Sequence, residues 1–370
     1  MSKAGCEFSV AQALLLLAPG EATAAYESGV VSTMSRAPWH RLAHEAGNRR
    51  GLWLGGSCGT ARAASMRSPP PASSERNGHN SHGYKARNIM QFTLVTLNIW
   101  DIPCWFALDR DARLARLGPY LNNISPDLIC LQESFDVQHR DDLYAYLGRD
   151  QFHISEEYDR TRRVLLFKHF DWTGGLVTFS RWPISSSRFI PFRRFVDMDF
   201  AEYIARKGIL ETILTTSEGP LCLLNTHLHA GGLHGDGETN IRCRQMHQIM
   251  QVLVARTDMP IILAGDFNEH ELLKHPVHGP AMERLGVKDA AEDNPEPTMR
   301  ADNCYGKRWF RHGDEHRRID YVFFKSLDLA GLRLQACAVM ARLEMPFSDH
   351  ELILTTFSTE ELTGNAHDLR

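Results

Sequence analysis

Nowhere in the 370 residues is there an apolar run long and uninterrupted enough to cross a bilayer as a helix. Cysteine is sparse and scattered: the eight thiols stand at positions 6, 58, 104, 130, 222, 243, 304 and 337, with no CxxC pair among them. No Cys/His spacing along the chain resembles a zinc site, and most of the cysteines read as free thiols. Cys130 and Cys222 fall inside apolar runs, where a thiol acts as a small hydrophobe. There is no internal repeat. An excess of positive charge is missing too: 41 Lys/Arg face 45 Asp/Glu, a formal net charge of −4. Residues 1–90 hold ten of those cations and five of the anions, which leaves −9 on the 280 residues that follow. An acidic body is a poor match to a protein that wraps nucleic acid through clustered Lys and Arg, so nucleic acid is the less favoured partner. It suits a site that collects a divalent cation.

What is present is a globular composition, 43% hydrophobic and 23% charged, enough to bury a substantial core. That composition begins late. Residues 1–90 are rich in Ala, Ser, Gly and Arg, and Ser68-Pro69-Pro70-Pro71-Ala72-Ser73-Ser74 breaks regular structure. Two readings of the start compete. Lys3, the apolar run from Phe8 to Ala18 and Ala22-Thr23-Ala24 have the outline of a secretory signal, interrupted by Glu7 and Gln12. The favoured expectation is a disordered extension, with Met90 as a natural beginning of the folded part. The expected compartment is cytoplasmic or peripheral to a membrane, with secretion as the alternative.

From Gln91 the pattern changes. Phe92–Asn98 is β-branched and apolar and stops at a polar residue, as a buried strand entering a loop does. Asp109–Asn123 places Leu114, Leu117 and Leu121 at helical spacing, with Pro126 beyond its end. Further strands are expected over 127–131, 176–179, 207–215, 221–225, 261–263, 319–324 and 352–357, and a helix over 238–255. Many strands with a few interspersed helices predict an α/β protein of two packed sheets covered outside by helices, one domain over 91–360 with a short tail at 361–370. The polar residues fall in a pattern of their own. Asn98, Glu133, Asn225-Thr226-His227, Asp266-Phe267-Asn268, Asp320 and Ser348-Asp349-His350 all lie at the ends of apolar strands or one step beyond. Side chains at strand ends are held rigidly and can converge on one rim.

The segments Leu97-Asn98, Leu131-Gln132-Glu133, Asn225-Thr226-His227-Leu228, Gly265-Asp266-Phe267-Asn268, Arg318-Ile319-Asp320-Tyr321 and Ser348-Asp349-His350 occur in one order. In that order they resemble the endonuclease/exonuclease/phosphatase superfamily. The resemblance implies a DNase I-like four-layer α/β/β/α sandwich of two mixed sheets, hydrolysing phosphate esters with a divalent metal and no covalent intermediate. Within that superfamily the chain looks most like the neutral sphingomyelinases. The narrower features are Asn98-Ile99-Trp100-Asp101-Ile102-Pro103, Thr226-His227-Leu228-His229-Ala230, and Asn303-Cys304-Tyr305 ahead of Arg318-Ile319-Asp320-Tyr321-Val322. Such enzymes place an Asp five residues before a regulatory-loop Lys; here Glu202 precedes Lys207 at that spacing, the same charge on a longer arm.

The residue types suit the chemistry. Glu133 is an oxygen ligand of the kind Mg²⁺ prefers, with Mn²⁺ as the alternative. Asn98 and Asn268 can donate amide hydrogens to phosphate oxygens, although an isolated Asn more often caps a turn. His350 is the candidate general base, with Asp320 oriented against its other ring nitrogen. By resemblance, Asp266 aligns the attacking water, Asp349 lies at the edge of the metal site, and His227 sits across the phosphate. Lys207 is a candidate phosphate contact and equally an ordinary strand-start lysine. His229, His234, His247 and His316 have no such support and are expected to be surface or structural. Two aromatic stretches bear on substrate: Trp100–Phe106, and Phe189–Phe195, which interleaves rings with arginines. Both suit peripheral contact with a bilayer and a phospholipid substrate, packing of a loop against the core, or stacking on the bases of a nucleic acid. Trp309, Phe310 and Arg311 leave the same alternatives open. The expected activity is phosphodiester hydrolysis at a phospholipid headgroup, with a nuclease or an inositol-phosphate phosphatase as alternatives and a non-catalytic lipid-binding module last.

Overall fold

A computed structural model describes residues 90–102, 107–155, 174–194, 198, 200–230, 241–256, 258–309, 316–326, 331–340 and 345–360. The expectations for residues 1–89 and 361–370, and for Pro103, Trp105, Phe106, Phe195, His234, Phe310 and Arg311, lie outside the described residues.

Twelve strands are described. They are β1 (Gln91–Asp101), β2 (Leu128–Ser134), β3 (His153–Ile154), β4 (Val177–Ser180), β5 (Ile184–Pro191), β6 (Gly208–Thr216), β7 (Gly219–His227), β8 (Ile261–Asp266), β9 (Lys288–Asp289), β10 (Asp320–Lys325), β11 (Gly331–Met340) and β12 (Leu352–Glu360). The described helices are α1 (Arg110–Ile124), α2 (Val137–Leu147), α3 (Phe200–Ala205), α4 (Ile241–Ala255) and α5 (His278–Arg284). The strands form two six-stranded sheets, ordered β11-β12-β1-β2-β4-β3 and β5-β6-β7-β8-β10-β9. Each sheet is mixed: β1 runs parallel to β2 and antiparallel to β12, and β8 runs parallel to β7 and antiparallel to β10.

Side chains alternate across each strand, and the alternation sorts the core into layers. Phe92 and Leu94 of β1, Leu128 and Cys130 of β2, Leu221 and Leu223 of β7, Ile262 and Ala264 of β8, and Val322 and Phe324 of β10 meet between the sheets. The opposite face of the first sheet, Val95, Leu97, Ile99, Ile129 and Leu131, packs on Leu117 and Leu121 of α1 and Leu143 and Leu147 of α2. The opposite face of the second, Cys222, Leu224, Ile261, Leu263 and Phe323, packs on Met246, Ile249 and Leu253 of α4 and Met282 of α5. The result is the four-layer sandwich. Each fully buried Leu or Ile in it contributes about 1.5–3 kcal/mol by leaving water.

The expected strands and the two expected helices fall where the pattern placed them, within a few residues. Four of the described strands have no counterpart in the expected set: β3 and β9, of two residues each, and the longer β5 and β11. Ile184–Pro191 is β5, an edge strand whose side chains are mostly part-exposed or exposed, so it carries little apolar alternation to read. Phe189 of the arginine-interleaved stretch therefore lies on a sheet, packed against Leu176 and Leu210. Gly331–Met340 is β11, the edge strand of the other sheet, whose pairing with β12 is interrupted by a register shift between Leu334 and Ala336.

Candidate functional site

The same parity that fills the space between the sheets builds the site. Asn98 continues the inward row of Phe92 and Leu94, Gln132 that of Leu128 and Cys130, and Asn225 and His227 that of Leu221 and Leu223. Asp266 continues the row of Ile262 and Ala264, and Asp320 opens that of Val322 and Phe324. Register brings them level: His227 pairs with Asp266 across β7 and β8, Asp320 with Asp266 across β10 and β8, and Asn98 with Gln132 across β1 and β2. One end of the interior thus turns from apolar to polar on both sheets.

Buried hydrogen bonds join the two halves there. Asn98 Nδ2 donates to Asp266 Oδ2 at 2.9 Å, and Gln132 Nε2 donates to Asn225 Oδ1 at 2.8 Å. Asn225 Nδ2 donates in turn to the Leu131 and Val177 carbonyls, each at 3.0 Å. The close approach of β7 and β8 requires Gly265. Its φ is +146°, and a Cβ there would lie 1.9 Å from the Thr226 carbonyl oxygen.

Asp266, 1% exposed, stands at the centre. Its Oδ1 accepts the Asn268 amide at 2.8 Å, while Oδ2 lies 3.3 Å from His227 Nε2 and 3.8 Å from His350 Nε2. Burial alone would raise its pKa, but His227, His350 and Lys207 outweigh that and hold the carboxyl far below the usual range. His350 Nδ1 meets Asp320 Oδ2 at 2.8 Å. Burial pushes against the charged ring, yet Asp320 and Asp266 prevail and lift its pKa well above that of an ordinary histidine. Asp320 is set by Thr298, whose hydroxyl oxygen accepts the Ile319 and Asp320 amides at 3.1 Å each. Met299 bridges to His350, which places the loop of Ser348-Asp349-His350 beside β10.

Glu133 closes the other side. His227 Nε2 lies 3.9 Å from its Oε1, and its Oε2 is buried with no hydrogen-bond partner among the described residues. Burial raises its pKa, opposed by His227 and Lys207 and reinforced by Asp349. A buried carboxylate with an orphan oxygen is a donor set that fits a hard cation. Asp266, Asp320 and His350 also place one donor atom each within 4.8 Å of one another, a second grouping able to hold an ion. There, however, His350 and Asp320 already spend donors on each other. Asp349 accepts from Ser348 Oγ at 3.0 Å and from Trp309 Nε1 at 2.7 Å.

The remaining expected residues are present with partners of their own. Asn268 Nδ2 donates to the Leu228 carbonyl at 3.0 Å, and Asn98 Oδ1 accepts the Trp100 amide at 3.0 Å. Lys207 Nζ, buried, donates to Glu202 Oε1 and to the Leu228 carbonyl, both at 2.9 Å, so the longer glutamate arm does reach. One ammonium proton then remains for any other acceptor. His229 is buried, its amide bonded to Gln245 Oε1, whereas His247 is exposed.

Several contributors carried no motif. Arg113, fully buried on α1, donates to the carbonyls of Ile99, Trp100, Leu108 and Phe347, tying the loop after β1 to the loop before His350. An arginine at one helical position has no sequence signal for this. Trp100, Tyr305 and Trp309 form a ring cluster, with centroids 6.3 Å and 6.4 Å from Trp100. Trp100, Glu133 and Asn268 share a left-handed backbone, φ between 50° and 54°, which costs a non-glycine residue about 1–2 kcal/mol. Such strain gathers at functional sites because the surrounding structure overrides it.

The family model of the Endonuclease/Exonuclease/phosphatase family matches residues 95–350. Sphingomyelin phosphodiesterase 2 of Homo sapiens is 26% identical over 286 residues, covering 72% of this chain and 64% of that protein. A Caenorhabditis elegans protein provisionally named a neutral sphingomyelinase is 26% identical over 317 residues, covering 73% and 67%. The chain spans about two thirds of the length of these relatives. Among solved structures, beta toxin from Staphylococcus aureus gives a TM-score of 0.56 at 17% identity, over 71% of this chain and 99% of that one. Sphingomyelinase C from Streptomyces griseocarneus gives 0.53 at 18%, over 74% and 100%. D. rerio TDP2 with a single-strand DNA product gives 0.53 at 19%, over 72% and 98%. At such identities the structural likeness speaks for the fold alone. The family match runs from within β1 to His350 and so takes in every strand that carries a site residue; the chain belongs to the endonuclease/exonuclease/phosphatase family.

Proposed function

We propose that this chain is a metal-dependent phosphodiesterase that cleaves a phospholipid headgroup ester, in the manner of a sphingomyelinase. The carrying observation is the 2.8 Å contact of His350 with Asp320 at a rim that also holds Asp266 and the orphan oxygen of Glu133.

His350 is the general base: Asp320 fixes Nδ1 as the protonated nitrogen and leaves Nε2 to take a proton from water. Asp266, between His350 and His227, accepts from Asn98 and orients the water. His227 faces the phosphate from the other side and favours departure of the leaving oxygen. Asn98 and Asn268 each keep one amide hydrogen for phosphate oxygens, and the last proton of Lys207 is available to the same end. Glu133 would hold the divalent ion, Mg²⁺ with Mn²⁺ as the alternative, with Asp349 at its edge. When bound, that ion neutralises phosphate charge and polarises the phosphoryl oxygen.

The names of the curated relatives favour a lipid over a polynucleotide. So does the acidic body. The test is release of phosphocholine from sphingomyelin in mixed micelles, with and without Mg²⁺. Metal-dependent release that His350→Ala abolishes is the expected result. Turnover of DNA with a steep salt dependence, and none of sphingomyelin, would replace the lipid by a nucleic acid.

A further inference from the structure

Cys243 stands far in the sequence from His275 and His278, which are three positions apart, yet each of the three places one donor atom within 4.8 Å of the others. Cys243 lies on α4; His275 follows the 3₁₀ turn of Leu272–Lys274; His278 opens α5. All three sit with the helices on the outer side of the second sheet, whereas the phosphoesterase residues occupy its inner face.

We propose that these three side chains form a zinc site that staples α4 to the segment leading into α5. The second, independent observation is His278 itself. Its ring is 2% exposed, and both nitrogens are buried with no hydrogen-bond partner among the described residues. Nearly all buried polar groups are bonded, and one left unsatisfied is strongly disfavoured. The parallel ring of His275, 4.0 Å away at 18°, does not bond to those nitrogens. A bound metal ion would occupy one of these two nitrogens.

The donor chemistry selects the ion. One sulfur and two imidazoles with no carboxylate make a borderline-soft set suited to zinc, while the oxygen donors of Glu133 and Asp349 suit magnesium. The His275 ring is available as a neutral ligand. His275 Nδ1 accepts the Val277 amide at 3.2 Å, which an imidazolium could not do. Zinc bonds of about 2.0–2.3 Å need the donors closer than they stand, so the stacked rings of His275 and His278 must turn toward a shared ion. His247, one helical turn beyond Cys243 on α4, is the candidate fourth ligand, and water serves otherwise.

The test uses the full chain, stripped with chelator and then exposed to zinc in the presence of excess Mg²⁺. The expected result is one zinc per chain after desalting, and a rise in Tm of roughly 5–10 °C at a hundredfold excess over Kd. Cobalt in place of zinc should give a sulfur-to-metal charge-transfer band. Cys243→Ser and His275→Ala should each lose the zinc and the band. His275 is only half-buried, so its variant should fold even where a change at His278 would not. Glu133→Gln should keep both signals, which separates this site from the magnesium site. Substoichiometric zinc in the wild type, or zinc and band retained in both variants, would overturn the proposal.

Discussion

Replacing Asp320 by Asn isolates what the carboxylate contributes to His350. The side-chain shape is kept, as are the Thr298 bonds, because those come from the backbone amides of Ile319 and Asp320. What is lost is the nearer of the two anions flanking the ring, at 2.8 Å against 3.8 Å for Asp266. An opposite charge at this range moves a pKa by about 1–3 units. Since Asp320 raises that of His350, the variant's value falls. A base works when unprotonated, so kcat/KM of the wild type should climb with pH through a limb above the ordinary histidine value. In Asp320→Asn that limb should move down by about 1–3 units. The plateau moves the other way. The amide can donate to Nδ1 and impose the wrong tautomer, and no charge supports the imidazolium, so the plateau should drop by roughly 10²–10⁴. Because the two effects oppose each other below the limb, the deficit should narrow at acid pH. The assay is a pH profile of kcat/KM on one phosphodiester for both proteins, with unfolding curves to confirm equal folding. An unmoved limb with a plateau within threefold of wild type would refute the assignment of His350 as base and Asp320 as its orienting partner.

Glu133→Gln keeps size but removes the anion, so the Mg²⁺ concentration for half-maximal activity should rise at least tenfold; an unchanged titration would place the ion elsewhere. Asn225→Ala removes three bonds between the sheets and should cost about 2–4 kcal/mol in denaturant unfolding; a loss under 0.5 would show the sheets are held by apolar packing alone. His350, raised in the folded state, contributes stability fully present below its unfolded value near 6.5 and lost as pH rises through the folded one. The stability gap between wild type and His350→Gln should therefore shrink from about pH 6 to pH 10, and a widening gap would contradict the raised pKa. Leu131→Ala and Ile262→Ala, both in sheet cores, should each cost about 2–5 kcal/mol at every pH, whereas the cost of His350→Ala should fall as pH rises; a pH-independent loss would mean His350 is a packing residue.

Asp266→Ala is less benign than its position at a strand end suggests. Read from the sequence, it is a functional carboxylate whose loss spares folding. In the structure it accepts from Asn98 Nδ2 and the Asn268 amide, so its removal leaves one buried and one part-buried donor unpaired. The strand-end pattern was legible because polar residues interrupt apolar runs at one parity. The bonds between strand ends were not, because Asn98 and Asp266 are 168 positions apart. The edge strands are hard to read for different reasons: the exposed β5 carries little apolar alternation, whereas β11 alternates but its apolar row slips from Leu332 and Leu334 to Cys337 and Val339 across the register shift. Arg113 was invisible because its four carbonyl partners belong to segments as distant as Phe347. The Cys243 cluster shows the same limit, since Cys243 is distant in the sequence and meets the His275/His278 pair only where α4 packs beside the segment leading into α5.

The shared parity of core and site has a consequence for how errors show themselves. Ile262, Ala264 and Asp266 belong to one row, so one residue added within β8 would swing Asp266 round to the helix side while sending Leu263 inward. The protein could still collapse on a mostly apolar interior, but its acids and histidines would no longer face one another. Turnover per molecule is therefore a stricter gauge of strand alignment in this sandwich than any melting curve.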